Sequence, residues 1–250
     1  MLRCGIDLGG TKIAAICLDQ NHNTVFEARL PTPQGDYRET LASIKMLVEQ
    51  AEVATGKSLP VGIGTPGAIS TKTGKMKNSN STCLNGQPLK EDLEKLLNKP
   101  VRIANDANCF ALSEAIDGAA QGANNVFGVI VGTGTGAGIV IGQQIVDGPN
   151  RIAGEWGHNP LPWNENSHSA ARLCYCGKYN CIETFLSGPG FEKSYALASQ
   201  QTLTSPNIVA LAEAGDATAE LVLTQYERQM AQALSHVINI LDPEVIVLGG

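Results

Sequence analysis

Twice in this chain a glycine turn separates two strand-like stretches: Gly5-Ile6-Asp7-Leu8-Gly9-Gly10-Thr11-Lys12, and Ile130-Val131-Gly132-Thr133-Gly134-Thr135-Gly136. Apolar sequence flanks both turns, Leu2 to Leu8 and Lys12 to Leu18 at the first, Val126 to Val131 and Ile139 to Ile141 at the second. A turn that runs on as a strand is not a dinucleotide fingerprint, whose glycines open a helix. Nor is it a Walker motif, since GxxxxGK followed by Ser or Thr is absent. Glycine has no Cβ, so such a turn lets backbone N–H groups crowd around an anion. The echo predicts two similar halves, each presenting a backbone-rich turn to one ligand.

The remaining pattern alternates strands and helices, which makes the class α/β. Val126 to Val131 is a near-continuous apolar run, the mark of a strand buried on both faces. Thr24 to Leu30 reads as a third strand, and Val61 to Gly64, Val101 to Ala104 and Val245 to Leu248 as others. Helices are predicted over 36–55, where Leu41, Ile44, Leu47, Val48 and Ala51 recur at helical spacing, and over 89–97, 107–121, 191–200, 207–214 and 217–241. The irregular stretch from Ala153 to Gly190 is too long for a plain connection and needs something to hold it together.

The cysteines bear on what that is. Cys4, Cys17, Cys83 and Cys109 are scattered among apolar neighbours, as small buried hydrophobes are. Cys174, Cys176 and Cys181 crowd into eight residues. In a reducing compartment such a cluster argues for metal, and three thiolates with one His complete the closed tetrahedron of structural zinc. The net charge of −6, without any Lys or Arg run, disfavours nucleic acid and anionic membranes as partners. No stretch has the length and apolarity of a membrane helix and no secretion signal is visible, so a cytoplasmic protein is expected.

Two carboxylates stand out. Asp7 precedes the first turn, where it would hold hydrated Mg²⁺ beside phosphates. Thr11 would hydrogen-bond a phosphate oxygen; Lys12 is either a point charge for phosphate or a solvated strand residue. Asp106 follows the strand Val101 to Ala104, at the strand end where open α/β sheets place their sites. Locally the pattern favours the N-cap of the next helix.

Strand–turn–strand is also the phosphate hairpin of the actin, Hsp70 and hexokinase ATPases. Gly5 to Lys12, Ala104-Asn105-Asp106-Ala107-Asn108, Gly154-Glu155-Trp156-Gly157-His158 and Cys174-x-Cys176-Gly177-x-x-x-Cys181-x-Glu183, in that order, resemble the ROK family of bacterial sugar kinases. Asn80-Ser81-Thr82, Leu84-Asn85-Gly86-Gln87-Pro88 and Gly157-His158-Asn159-Pro160-Leu161-Pro162-Trp163 resemble its manno(fructo)kinase type. The resemblance implies an actin-like (ribonuclease H-like) ATPase fold, with two lobes around a cleft and a zinc-stapled loop. The lobes would be 1–117, with the first hairpin and the catalytic Asp, and 118–250, with the second turn and the zinc motif.

The activity implied is ATP-dependent phosphorylation of the 6-hydroxyl of fructose, with glucokinase or N-acetylglucosamine kinase as alternatives. A sugar-responsive regulator or a non-catalytic ATP-binding protein is a remoter alternative. Asp106 becomes the catalytic base, and Asn105, Glu155, His158, Glu183, Gly67 and Asn80 become sugar contacts. Gly9, Gly10, Thr11, Lys12, Gly132, Thr133, Gly134, Gly136 and Gly249 bind ATP, with Mg²⁺ on Asp7 through water. His158 is the fourth zinc ligand; His168 is nearer in sequence but lacks the Gly-His-Asn context. A homodimer is implied as well.

The sequence departs from the pattern at two places. Asn180 stands where the zinc loop of the family usually has a second Gly, and Asn is the next-best residue for a left-handed turn. Family members also continue for some tens of residues beyond the strand that ends here at Gly250, so the C-terminal part of the family fold is expected to be missing.

Overall fold

Alternation decides the first sheet. In β1 (Arg3–Leu8) every second residue, Cys4, Ile6 and Leu8, is buried, and in β2 (Lys12–Leu18) Ile13, Ala15 and Cys17 are. The computed structural model describes residues 2–163 and 171–250. β3 (Thr24–Pro31) extends the antiparallel meander, and α1 (Tyr37–Thr55) covers the apolar face with Ile44, Leu47, Val48 and Ala51. Asp36 caps this helix by accepting from the Glu39 N–H at 3.0 Å, and Gly56 ends it at φ 65°. β4 (Val61–Thr65) pairs parallel with β1. The small hairpin β5 (Ala68–Ile69) with β6 (Met76–Lys77) follows, then α2 (Leu89–Leu97) and β7 (Val101–Asn105), parallel to β4. The strand order is β3-β2-β1-β4-β7.

The chain divides into two units, Met1–Cys109 with Gly148–Ile152, and Phe110–Asp147 with Ala153–Gly250; α3 (Asp106–Asp117) carries it from the first to the second. The second unit repeats the first's plan. β8 (Asn125–Val131), β9 (Thr135–Ile141) and β10 (Gln144–Ile145) form an antiparallel meander. After α4 (Glu183–Leu186), α5 (Gly188–Ser199), α6 (Ser205–Glu213) and α7 (Ala217–Leu241), β11 (Val245–Gly249) returns parallel to β8, giving the order β10-β9-β8-β11. In both sheets a glycine turn joins the first two strands and a parallel strand flanks the first. The weak sequence echo is therefore a topological repeat.

Several boundaries differ from the sequence expectation, each for a local reason. β9 starts at Thr135 rather than Ile139, because Thr135 to Gly138 pair with Val131 to Gly128 despite their small side chains. α3 ends at Asp117 rather than Gln121. Glu114 draws the chain into a turn there, accepting from the Ala119 N–H through its carboxylate (2.7 Å) and from the Ala120 N–H through its carbonyl (3.0 Å). α5 starts at Gly188, three residues early, because Ser187 caps it through the Gly190 N–H at 3.1 Å and Pro189 suits a first turn. Among the described residues the 153–190 stretch holds the 3₁₀ turn Trp156–His158, α4 and the start of α5. Among the described residues no helix is long and apolar enough to cross a membrane.

Candidate active site

The first glycine turn is closed by the Gly9 N–H donating to the Lys12 carbonyl at 3.1 Å, and a Cβ on Gly9 would stand 2.9 Å from that oxygen. Thr32 Oγ1 donates to Gly9 O (2.7 Å), Gln34 Nε2 to Gly10 O (2.8 Å) and Thr32 N to Thr11 O (3.0 Å). Three successive carbonyls are thus tied back, which removes the lone pairs that would repel an anion at this turn. Asp7, exposed in β1, has its carboxyl raised by burial, with Lys12 acting in the opposite sense. An exposed carboxylate beside a turn with its acceptors satisfied is a donor set that fits hydrated Mg²⁺ and phosphate. Thr11 and Lys12 are exposed.

Asp106 lies on the same sheet edge. The parallel strands β1, β4 and β7 are in register, Asp7 with Gly64 and Thr65 with Asn105, so all three end together. The helix cap anticipated for Asp106 falls to its neighbour: Asn105 Oδ1 accepts from the Asn108 N–H at 3.2 Å, and Asp106 is the first helical residue. Asp106 Oδ1 takes the adjacent Ala107 N–H (2.8 Å), while the side chain keeps an open side to solvent. Burial by the surrounding protein raises the Asp106 carboxyl above its ordinary range, and the charge of Asp7 adds to the shift.

Asn105 Nδ2 also donates to the Gly67 carbonyl at 3.2 Å. Gly67 sits at φ 76°, where a Cβ would run into the backbone of Lys77, Asn78 and Ser79. Its glycine is therefore accounted for by a chain crossing. Asn80 is exposed; the segment before it is held by Asn85, which exchanges two 2.9 Å bonds with the Ser79 backbone.

In the second unit the glycine turn and the zinc motif are stitched together. Gly132 N–H donates to Gly134 O and Gly188 N–H to Gly132 O, both at 2.9 Å, and the Thr135 N–H donates to Glu183 Oε2 at 3.0 Å. Thr133 is exposed at the tip. Gly136 lies inside β9 opposite Ile130, and Gly249 flanks Ile130 from β11, where a Cβ would stand 2.6 Å from the Phe110 ring.

His158, Cys174, Cys176 and Cys181 bring four ligand atoms within 4.8 Å of one another. Cys176 and Cys181 sulfurs are 3.7 Å apart, and His158 Nδ1 is 3.5 Å from Cys174 Sγ. A tetrahedron with zinc–sulfur bonds of about 2.3 Å has edges of about 3.8 Å, so the donor set fits zinc. With Nδ1 turned to the cluster, Nε2 meets Tyr175 Oη at 2.9 Å. Tyr175 was not among the sequence candidates, although it stands between two ligand cysteines. Its hydroxyl is raised by burial and then by the charges of Glu183 and Glu155. His168 lies outside the described residues.

Arg172 is a second residue missed, with no local signal to reveal it. Its buried guanidinium donates to Thr184 O (2.7 Å), Gly190 O (3.1 Å) and Ser194 Oγ (3.0 Å) and lies 4.3 Å over the Phe185 ring. It latches the start of the zinc loop to the segment that carries Glu183. Asn180 adopts φ 58°, as its position requires, and its Oδ1 accepts from the Arg172 N–H at 2.9 Å. Asn180→Gly keeps the turn but loses that bond. Its thermal unfolding should show a loss of about 1 kcal/mol with zinc retained; an unchanged Tm would mean the bond contributes nothing.

Comparisons with known proteins agree with this geometry. The ROK family model matches residues 3–250. N-acetyl-D-glucosamine kinase of Yersinia pseudotuberculosis is 39% identical over 250 aligned residues, covering 98% of this chain and 82% of the relative. The solved ROK hexokinase of Thermus thermophilus superposes with a TM-score of 0.85 at 32% identity, over 100% of this chain and 82% of that one. A ROK glucokinase of Streptomyces griseus, solved with glucose and AMPPNP, gives 0.80 at 28% identity, over 100% and 83%. The fold is accordingly the actin-like ATPase fold expected from the sequence. With the family model spanning nearly the whole chain, the chain belongs to the ROK family and is a sugar kinase of that family.

Proposed function

We propose that this kinase transfers the γ-phosphoryl group of ATP to the 6-hydroxyl of a hexose, with Asp106 as the general base. The observation that carries the reading is the placing of Asp106 at the first turn of α3, just beyond β7, with Asn105 taking over the capping duty. As O6 bonds to phosphorus and the bond to the β-phosphate oxygen breaks, the hydroxyl proton passes to the Asp106 carboxylate. Asn105, Glu155, His158 and Glu183, with Gly67 and Asn80, contact the sugar. Gly9 to Lys12, Gly132, Thr133, Gly136 and Gly249 contact the nucleotide.

Mg²⁺, held through water by Asp7, supplies positive charge for the phosphate oxygens. Zinc supplies no acid–base chemistry in this reading, because His158 and the three cysteines fill a tetrahedral shell. His158, Cys174, Cys176 and Cys181 would hold the ion, which would orient His158 and tie down the loop that leads to Glu183.

The sugar is N-acetyl-D-glucosamine or glucose, supported by curated relatives at 39–40% identity named N-acetyl-D-glucosamine kinase and by the glucokinase likeness. This displaces fructose as the leading substrate. Fructose remains a second reading, favoured by the loop residues Asn80-Ser81-Thr82 and Asn159 to Trp163 that resemble the manno(fructo)kinase type. A coupled ADP-release assay across N-acetylglucosamine, glucose, mannose and fructose tests both. The expected result is the highest kcat/KM on N-acetylglucosamine or glucose. A tenfold preference for fructose would install the second reading, and inactivity on every hexose would defeat the hexose assignment.

A further inference from the structure

We propose that Gly134, in the middle of the second glycine turn, is a positioning residue for the sugar: its missing Cβ leaves the space in which the Glu183 carboxylate docks. The inference rests on the reading that Glu183 contacts sugar hydroxyls. Local sequence assigns Gly134 to phosphate, because it sits in a glycine turn between strands. The tertiary contacts point elsewhere. An ideal Cβ on Gly134 would lie 2.8 Å from Glu183 Oε2 and 3.6 Å from its Cδ, whereas one on Gly132 would meet nothing within 4 Å. The same Oε2 accepts from the Thr135 N–H at 3.0 Å. A turn suited to bind an anion thus already holds one, a carboxylate of the protein itself.

This docking has a chemical consequence for Glu183. With Oε2 committed to Thr135, Oε1 is the oxygen nearest the zinc cluster, 4.0 Å from Cys174 Sγ. A carboxylate fixed at one oxygen offers the other in a single direction, and such fixing is what recognition of a particular hydroxyl needs. An alanine methyl at 134 meets only the end of a flexible side chain, so Glu183 would swing away and the backbone of β8 and β9 would stay in place.

The test measures Gly134→Ala by calorimetric titration with N-acetylglucosamine, glucose and fructose in the absence of ATP, beside steady-state kinetics and zinc content. Gly134→Ala should bind the preferred sugar about tenfold more weakly, keep about one zinc per chain, and leave the KM for ATP within about twofold of the parent. The effect should largely vanish in a Glu183→Ala background, since Gly134 acts through that side chain. A raised KM for ATP with unchanged sugar affinity would return Gly134 to the phosphate and overturn the inference. So would an equal loss of sugar affinity in the Glu183→Ala background. A parent protein inactive on every hexose defeats the assignment of the previous section instead, which keeps the two failures distinct.

Discussion

Asp106→Asn should fold normally and lose about 10³-fold in kcat, the scale on which a positioned general base contributes. The substitution is isosteric, and the carboxamide oxygen can still accept the Ala107 N–H now bound at 2.8 Å by Asp106 Oδ1. What it cannot do is take a proton from a sugar hydroxyl. Stability should move the other way. Burial, with the charge of Asp7 adding, raises the Asp106 carboxyl in the folded protein. A carboxyl whose folded pKa exceeds its unfolded value contributes stability fully below the unfolded value, and that contribution is lost as pH rises through the folded pKa.

Near neutral pH Asp106 is therefore a liability that Asn removes. Thermal melts should place the Tm of Asp106→Asn at or above the parent near neutrality, with the gap closing toward about pH 4. Parent-like kcat would dismiss the base. A clearly lower Tm at neutral pH would instead mark Asp106 as a structural residue.

The zinc site carries the other large expectation. Cys176→Ser, or exhaustive chelation, should take the metal content from about one per chain to near zero and weaken sugar binding at least 100-fold. Structural zinc sites contribute folding free energy directly, because unfolded chains lack the preformed tetrahedron. The damage should stay local. Arg172 still holds the loop's start to Thr184, Gly190 and Ser194, and the core around Leu186, Phe127 and Val129 does not involve the metal. Limited proteolysis should therefore gain cleavage within 153–163 and 171–182 while α5 to α7 stay protected. Unchanged sugar affinity in metal-free protein would show that the cluster does not organise the sugar contacts.

Both expectations began in the sequence, by different routes. Three cysteines within eight residues name a metal site through ligand chemistry and short spacing, both carried by adjacent residues. Asp106 was ambiguous, because a helix cap and a catalytic carboxylate look alike in one dimension. In the structure the cap falls to the neighbour, Asn105, which reaches the Asn108 N–H itself. Tyr175 was passed over because a tyrosine between cysteines has no chemistry until its hydroxyl is seen at His158 Nε2. The short pairings of β5, β6 and β10 were not legible either, being two residues each and too brief for any periodicity.

The sequence by itself determined the α/β class, the two strand–turn–strand units and the grouping of His158, Cys174, Cys176 and Cys181, whose donor atoms the fold brings within 4.8 Å of one another. These depend on periodicity, on local spacing and on motifs whose order resembles a family. Only the tertiary structure showed which glycine of the second turn lies against a carboxylate of the protein. Gly132 and Gly134 are indistinguishable in sequence, yet Gly134 alone has Glu183 Oε2 within reach of an added Cβ. That distinction arises from the meeting of Thr135 and Glu183, 48 residues apart, and a contact over such a separation leaves no trace in the local pattern of either partner.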